Sequence, residues 1–117
     1  MKESVILDKS KAFALRVIRL YNYLNDQKHE HHLSKQLLRS GTSIGANAKE
    51  SVFAQSKPDF TAKLFIAQKE CAESEYWLEL IYESGYITKS EFDSIYRDCQ
   101  ELMRLIVAST KTIQNNY

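Results

Sequence analysis

The chain has 117 residues and a net charge of +1, so it is large enough for one hydrophobic core and too small for two. Its single proline and three glycines leave few helix-breaking positions, and no strand-like alternation appears, which favours an all-α class. No apolar run approaches the ~18 residues of a membrane span, and the N-terminal apolar stretch is too short for a signal peptide. We therefore expect a cytoplasmic protein with no membrane partner.

The first predicted helix covers about residues 8–27, with Asp8 as its N-cap and an apolar stripe repeating every three to four residues. A histidine-rich loop follows, and the second predicted helix covers about residues 33–55. Gly41 and Gly45 lie one turn apart inside it, where each glycine costs about 1 kcal/mol relative to alanine. That cost is tolerated best where another backbone comes very close, so the pair predicts a tight seam between two helices.

The third helix has a clear start signal. Ser56 is its predicted N-cap, Pro58 stands in its first turn, and Asp59 has the position of the acidic partner in a capping box. Apolar and small residues then step by four and three along residues 57–84, a spacing typical of near-parallel helix packing. Gly85 is the residue expected to end the helix.

The fourth helix begins with the strongest local signal in the chain. Thr88 and Glu91 form a predicted capping box, and the helix covers about residues 89–113, its stripe ending at Ile113. Four long helices with short connections predict a single domain, residues 1–117. The predicted fold is all-α, an antiparallel up-down-up-down four-helix bundle.

A structural polar network is predicted between the second and third helices. Ser43, Asn47 and Glu50 lie beside the glycine seam, where they are placed to hydrogen-bond a neighbouring helix. The expected partners of the glutamates are Asn47, Lys63 and Lys69, and buried groups of this kind favour one helix register over others. The network comprises Ser43, Asn47, Glu50, Lys63, Glu70 and Glu73.

The helices carry more apolar residues than one narrow core requires. A second apolar surface on a small bundle indicates association, and the alternative is that these residues widen the core. The residues in question are Leu15, Ile18, Phe53, Phe65, Ile66, Tyr76, Trp77, Leu80, Tyr82, Met103 and Val107.

Charge is divided unevenly along the chain. Residues 1–69 hold twelve lysines and arginines against six acidic residues, and residues 70–117 hold four against nine. The basic half of the chain can bind nucleic acid, or it can dock on the acidic half of another subunit. The candidate phosphate-binding cations are Lys9, Lys11, Arg16, Arg19, Lys35, Arg39 and Lys49. The alternatives for these cations are a solvated face or pairing with glutamates of a neighbouring subunit.

Patterns that carry enzymatic chemistry are missing from the sequence. His29, His31 and His32 share one loop without the helical spacing of a metalloprotease motif, and no Glu-x-x-His occurs. Cys71 and Cys99 lie on apolar stripes, typical of reduced core thiols, and they would form a disulfide only if the third and fourth helices bring them together. We predict no catalytic residue, no metal site and no cofactor, and a protein that is not an enzyme.

Four linked segments resemble a known family: Gln36–Glu50 (QLLRSGTSIGANAKE), Asp59–Phe60, Lys63–Glu70 and Glu73–Leu78. Together they resemble the 23S ribosomal RNA intervening-sequence proteins, also called the S23 ribosomal protein family. Related bundles include the accessory variability determinant of diversity-generating retroelements. The resemblance extends over nearly the whole chain.

The resemblance implies a bacterial, cytoplasmic homo-oligomer, a pentameric ring, with no enzymatic activity and an association with nucleic acid, RNA in particular. A five-fold ring needs a heterologous interface, which the divided charge and the surplus apolar residues suit. The retroelement relative binds nucleic acid and a reverse transcriptase through a strongly basic surface, and this near-neutral chain departs from that pattern. The alternative is a protein-interaction scaffold that binds no nucleic acid and uses its basic half in subunit contacts.

Overall fold

The computed structural model describes the backbone of residues 2–115 and the side chains of residues 5–112. The four helices are α1 (Lys2–Asp26), α2 (Leu33–Val52), α3 (Lys57–Glu83) and α4 (Lys89–Asn115). Each helix packs against the next along the chain, and α1 packs against α4, which closes an elongated bundle of 48 × 22 × 20 Å. The all-α, up-down-up-down four-helix bundle is confirmed. None of the helices described is long and apolar enough to span a membrane.

The first helix begins earlier than the sequence pattern indicated. It starts at Lys2, so Asp8 lies exposed inside the helix and the prediction that it caps the start is wrong. Ile6 gives the physical reason, because its side chain is buried and adds a further contact to the core on the N-terminal side of Phe13. No glycine or proline interrupts residues 2–7, so the helix continues through them.

The connection between α2 and α3 is tight. Helix α2 ends at Val52, short of the predicted residue 55, and Phe53 forms its C-cap. The Ser56 hydroxyl accepts the Asp59 N–H at 3.2 Å, as an N-cap should. In a capping box the Asp59 carboxylate would accept the N–H of the N-cap, Ser56. Here it accepts the N–H of the preceding residue, Gln55, at 3.2 Å. Two side chains therefore hold the turn from both directions.

The start of α4 agrees with its sequence signal. The Thr88 hydroxyl accepts the Glu91 N–H at 3.1 Å, and the Glu91 carboxylate accepts the Thr88 N–H at 2.8 Å. The hydrogen bond from the Thr88 backbone, followed by the interaction of the Thr88 side chain with the carboxylate, lowers the pKa of Glu91. Gly85 follows the end of α3 with φ of +86°, a conformation that favours glycine. The capping box and the helix end are both confirmed.

The core extends along the whole bundle and contains side chains from every helix. The largest fully buried apolar side chains are Phe13, Leu24, Leu37, Ile44, Leu78, Ile81, Leu102 and Ile106. Cys71 and Cys99 are buried free thiols brought together by α3 and α4, with the Cys99 Sγ donating to the Cys71 carbonyl oxygen at 3.5 Å. A hydrogen bond with Cys71 and burial raise the pKa of the Cys99 thiol. The side chain of Ile113 lies outside the described residues.

The glycine seam lies between α1 and α2. A Cβ atom at Gly41 would lie 2.8 Å from a methyl carbon of Val17, and one at Gly45 would lie 3.1 Å from the Ser10 hydroxyl oxygen. Ordinary contacts between carbon atoms are about 3.5–4.0 Å, so Gly41 occupies a place where no larger residue fits without movement. The predicted close approach of two helices is confirmed, and the partner is α1.

Candidate nucleic-acid interface

Two of the seven candidate cations form ion pairs between α1 and α4. Lys9 Nζ lies 3.2 Å from Glu101 Oε1. Arg16 reaches Asp98 at 2.7 Å and also donates to the carbonyl and hydroxyl oxygens of Ser94, at 3.2 and 3.0 Å. The basic and acidic halves of the chain are therefore matched within one subunit along this edge of the bundle.

Arg39 forms a similar bridge between α2 and α3. Its guanidinium pairs with Glu70 at 3.4 Å and with Glu73, whose carboxylate also accepts the Trp77 indole N–H at 3.3 Å. The partners expected for Glu70 and Glu73 from the sequence were Asn47, Lys63 and Lys69. The structure pairs both glutamates with Arg39 instead. The Arg39 guanidinium thus has two carboxylate partners within its own subunit, while its side chain stays half exposed.

The prediction of a polar network between α2 and α3 is confirmed in part. Lys63 and Glu50 connect α3 and α2 at 3.1 Å, as expected. Ser43 and Asn47 instead bond within α2, donating to the carbonyl oxygens of Arg39 and Ser43 at 2.6 and 2.9 Å. The prediction that these two residues bond a neighbouring helix is wrong, because in a helix the carbonyl four residues earlier lies within reach of short polar side chains.

The link that the sequence analysis missed between α2 and α3 is a pair of buried serines. The Ser40 and Ser74 hydroxyl oxygens lie 2.9 Å apart, and both residues are fully buried. Each serine occupies a core-facing position of its helix, where periodicity alone suggests only a small residue. This contact, rather than Ser43 or Asn47, satisfies polar groups at the centre of the bundle.

Four candidate cations remain available to a ligand: Lys11, Arg19, Lys35 and Lys49. All four are exposed, and within the part of the chain that is described no carboxylate lies at ion-pair distance from them. The fold brings Lys11 and Lys49 together in one groove between α1 and α2. Arg19 lines a different groove between α1 and α4, and Lys35 lines neither.

The groove between α1 and α2 has a volume of about 500 Å³. Its floor is formed largely by small residues, Ser10, Ala14, Gly45 and Ala46, with Leu7 at the same lining. Lys11 and Lys49 are its two cations, and Asp8 is the acidic residue on the same lining. Two exposed ammonium groups beside such a groove can bind phosphate groups, with little preference for sequence.

Phe53 is the functional candidate that sequence reasoning did not single out. Its side chain is 75% exposed, and the Lys49 ammonium lies 6.0 Å from its ring centroid. The sequence analysis grouped Phe53 with the surplus apolar residues. The signal that could have found it is the spacing of Lys49 and Phe53, since residues four apart share one side of a helix.

The histidine-rich loop has a structural role. The buried Glu30 carboxylate accepts the N–H groups of His32, Leu33 and Ser34, at 3.1, 3.0 and 2.8 Å, and so caps the start of α2. Burial alone would raise the pKa of Glu30, but these backbone hydrogen bonds together lower it. His31 contacts the Asn25 side chain. In the described part of the chain, no three metal-ligating side chains are grouped.

The surface between α3 and α4 is acidic. Glu79 accepts a hydrogen bond of 2.6 Å from the Tyr96 hydroxyl, and burial followed by this bond raises the pKa of Tyr96. Burial and the neighbouring charge of Glu79 also raise the pKa of Glu75. The carboxylates here disfavour a polyanion, so the candidate interface lies on the α1 and α2 side of the bundle.

The chain resembles one known protein family over most of its length. A family model described as "23S rRNA-intervening sequence protein" matches residues 2–108, which span α1, α2, α3 and most of α4. The chain belongs to the 23S rRNA-intervening sequence protein family. Among curated proteins, the comparison found no match.

A solved structure of another family member agrees with this fold. It is a protein from Bacteroides thetaiotaomicron VPI-5482, described as having unknown function and belonging to the S23 ribosomal protein family. The two chains are 49% identical, with a TM-score of 0.94 over 95% of this chain and 99% of the other. The two proteins thus share the whole bundle, and the description of that relative assigns no activity.

Proposed function

We propose that this protein is a non-enzymatic, homo-oligomeric scaffold of the cytoplasm that binds nucleic acid, RNA in particular, and that it assembles as a pentamer. The observation that carries the proposal is the separation of two surfaces. The outer side of α3 exposes large apolar side chains, and the outer sides of α1 and α2 present cations without an acidic partner among the described residues. A subunit with both surfaces can associate with its own copies and still leave its basic side open.

The outer face of α3 supports self-assembly. Phe65, Ile66 and Tyr76 are exposed, although α3 also buries a complete stripe on its other side. Trp77 lies beside Tyr76, with ring centroids 5.2 Å apart. Large apolar side chains exposed on the side of a helix away from the core indicate an interaction surface, and we propose that a second copy covers this one. Leu15 and Ile18 are also exposed, but Leu15 lies one helical turn from both Lys11 and Arg19, so these two apolar residues belong to the basic side of the subunit.

The exposed cations of α1 and α2 support nucleic-acid binding. Lys11, Lys35 and Lys49 have no acidic partner among the described residues, so their charges are available to phosphates. Such binding depends steeply on salt, because each neutralised phosphate releases counterions.

The assembly claim is tested by sedimentation velocity on Ile66→Glu and Tyr76→Glu, each with a charge placed on the α3 face. Gln100→Glu, at an exposed position of α4, is the matched control. We expect both α3 variants to sediment as monomers and the control to sediment as the wild type. Unchanged sedimentation of both α3 variants would remove α3 from the subunit interface.

The binding claim is tested by fluorescence anisotropy of labelled structured RNA and duplex DNA over a salt series. We expect the affinity to fall linearly with salt on logarithmic axes, and Lys11→Ala with Lys49→Ala to lower the slope by about two phosphates. Arg97→Ala, on the exposed side of α4, is the matched control and should keep the slope.

The second candidate function is a protein-interaction scaffold that binds no nucleic acid. The observation in its favour is that Lys9, Arg16 and Arg39 already pair with acidic groups of the same chain. Fewer cations are left than the sequence indicated. An absence of RNA and DNA binding even at low salt would select this candidate.

A further inference from the structure

We propose that Phe53 and the adjoining groove bind single-stranded nucleic acid, with an unpaired base stacked on the Phe53 ring and the phosphate backbone held by Lys49 and Lys11. This inference rests on the proposed function and names the kind of nucleic acid and the place where it binds. It follows from the exposure of one aromatic ring, the course of two connected grooves and the charges along them.

The Phe53 ring stabilises the folded chain very little. With 75% of its surface exposed it is the most exposed large apolar side chain among the described residues, and it stands at the C-cap of α2. Its backbone is fixed by a hydrogen bond from its N–H to the Glu50 carbonyl oxygen at 3.0 Å. The backbone that carries the ring is therefore held at the end of α2, while the face of the ring stays open to a base.

Two grooves meet at Lys49. One, of about 400 Å³, lies beside Phe53 and includes Gln55 and Lys63 in its lining. The other is the groove of about 500 Å³ between α1 and α2, where Lys49 faces Lys11. Lys49 lines both, so a chain that stacks a base on Phe53 can continue past Lys49 into the groove with Lys11.

The charges along this path favour a polyanion at the lysines. Lys11 and Lys49 have no acidic partner among the described residues, and the Lys49 ammonium already lies 6.0 Å from the Phe53 ring. The acidic groups nearby are Asp8, Glu50 and Asp59. Glu50 is paired with Lys63. Asp59 accepts the Gln55 N–H but keeps its negative charge on the lining of the groove beside Phe53. Asp8 is the repulsive charge in the groove with Lys11.

Single strands fit these features better than duplexes do. A base in a duplex is stacked on both sides and cannot offer its face to Phe53, whereas an unpaired base can. A ring next to lysines gives affinity without sequence preference, because every base has a π face.

The test is fluorescence anisotropy at low salt with a labelled oligouridylate and with the same strand annealed to its complement. Phe53→Ala should weaken single-strand binding roughly tenfold and leave duplex binding within about twofold. Phe53→Tyr, which keeps an aromatic ring, should retain the wild-type affinity. Tyr23→Ala is the matched control, since Tyr23 is also exposed and also has a lysine ammonium, that of Lys28, at 6.0 Å from its ring.

The charges are tested with the same oligouridylate. Lys49→Ala should weaken binding and reduce the salt slope by about one phosphate. Asp8→Asn should strengthen binding, because it removes the repulsive charge from the groove.

The outcomes separate this inference from the proposed function. If the wild type binds no RNA or DNA at low salt, both are overturned. If the wild type binds and Phe53→Ala binds the single strand equally well, the stacking site alone is overturned. If Phe53→Ala changes the sedimentation of the protein and weakens both ligands equally, Phe53 is a contact between copies, which also overturns the stacking site.

Discussion

Replacing Gly41 by alanine tests whether the α1–α2 seam is as tight as the structure indicates. The added Cβ would lie 2.8 and 3.0 Å from the two methyl carbons of Val17 and 3.3 Å from its Cβ. Ordinary separations are about 3.5–4.0 Å, so the helices must move apart by several tenths of an ångström. Val17 cannot turn away easily, because it is fully buried and a β-branched side chain in a helix has one strongly preferred rotamer.

The expected change in the free energy of unfolding follows from two opposing effects. Alanine gains about 1 kcal/mol over glycine in a helix, and overpacking a tight core costs about 1–3 kcal/mol. Gly45→Ala is the matched control, because it has the same gain while its Cβ meets the Ser10 hydroxyl at 3.1 Å, a smaller conflict. We expect Gly41→Ala to be less stable than Gly45→Ala by about 1–3 kcal/mol.

The assay is urea unfolding followed by circular dichroism at one fixed protein concentration, since any self-association contributes to the measured stability. A double mutant provides the second measurement. Val17→Ala removes the opposing methyl groups, so Gly41→Ala should cost less in that background, with a coupling energy of about 1 kcal/mol or more. Equal stability of the two glycine variants, together with additive effects in the double mutant, would refute the steric argument. Gly41→Leu, which adds far more bulk at the same place, should disrupt the bundle.

Three further predictions concern polar contacts. Glu30→Gln should lower the free energy of unfolding at neutral pH by about 1–2 kcal/mol. Because folding lowers the pKa of Glu30 from 4.5, the extra stability of the wild type should be complete above that value and disappear as the pH falls through the folded-state pKa. A difference that does not depend on pH would contradict the capping role. Thr88→Ala should cost about 1 kcal/mol in thermal or urea unfolding, and a neutral result would mean that Glu91 caps α4 unaided. Arg16→Ala should cost less than about 1 kcal/mol, because its pair with Asp98 is partly exposed, and the loss should shrink in high salt.

Local signals in the sequence were sufficient for some features of the fold. Thr88 and Glu91 define the start of α4 by themselves, because a capping box involves residues only three apart. Gly41 and Gly45 indicated a close approach, since glycine in a helix interior has a definite energetic cost. Neither signal says which helix comes close, and α1 emerged as the partner only from the fold.

Features that depend on tertiary packing could not be predicted from the sequence pattern. Asp8 has the chemistry of an N-cap, but burial of Ile6 extends α1 past it. The pairing of Arg39 with Glu73 joins residues 34 positions apart and requires the relative alignment of α2 and α3. The chain can be divided correctly into basic and acidic halves, yet whether these charges meet within one subunit is decided by the bundle.

The residues of the candidate site could be predicted from the sequence, but their arrangement could not. Lys11 and Lys49 could be named as exposed cations from the sequence, but their common groove depends on the close packing of α1 and α2. Phe53 could be recognised as a surplus apolar residue, whereas its exposure follows from the end of α2 at Val52. Helix ends are set by competition among a few hydrogen bonds, which residue types alone do not decide.

The central claim, a self-assembling subunit that binds nucleic acid, is tested most directly by sedimentation velocity of the protein mixed with dye-labelled RNA, with protein and dye followed at separate wavelengths. We expect the protein to sediment as an oligomer, with the RNA in the same boundary at low salt and released from it at high salt. A protein that sediments as a monomer at every concentration, with the RNA always sedimenting alone, would contradict the account.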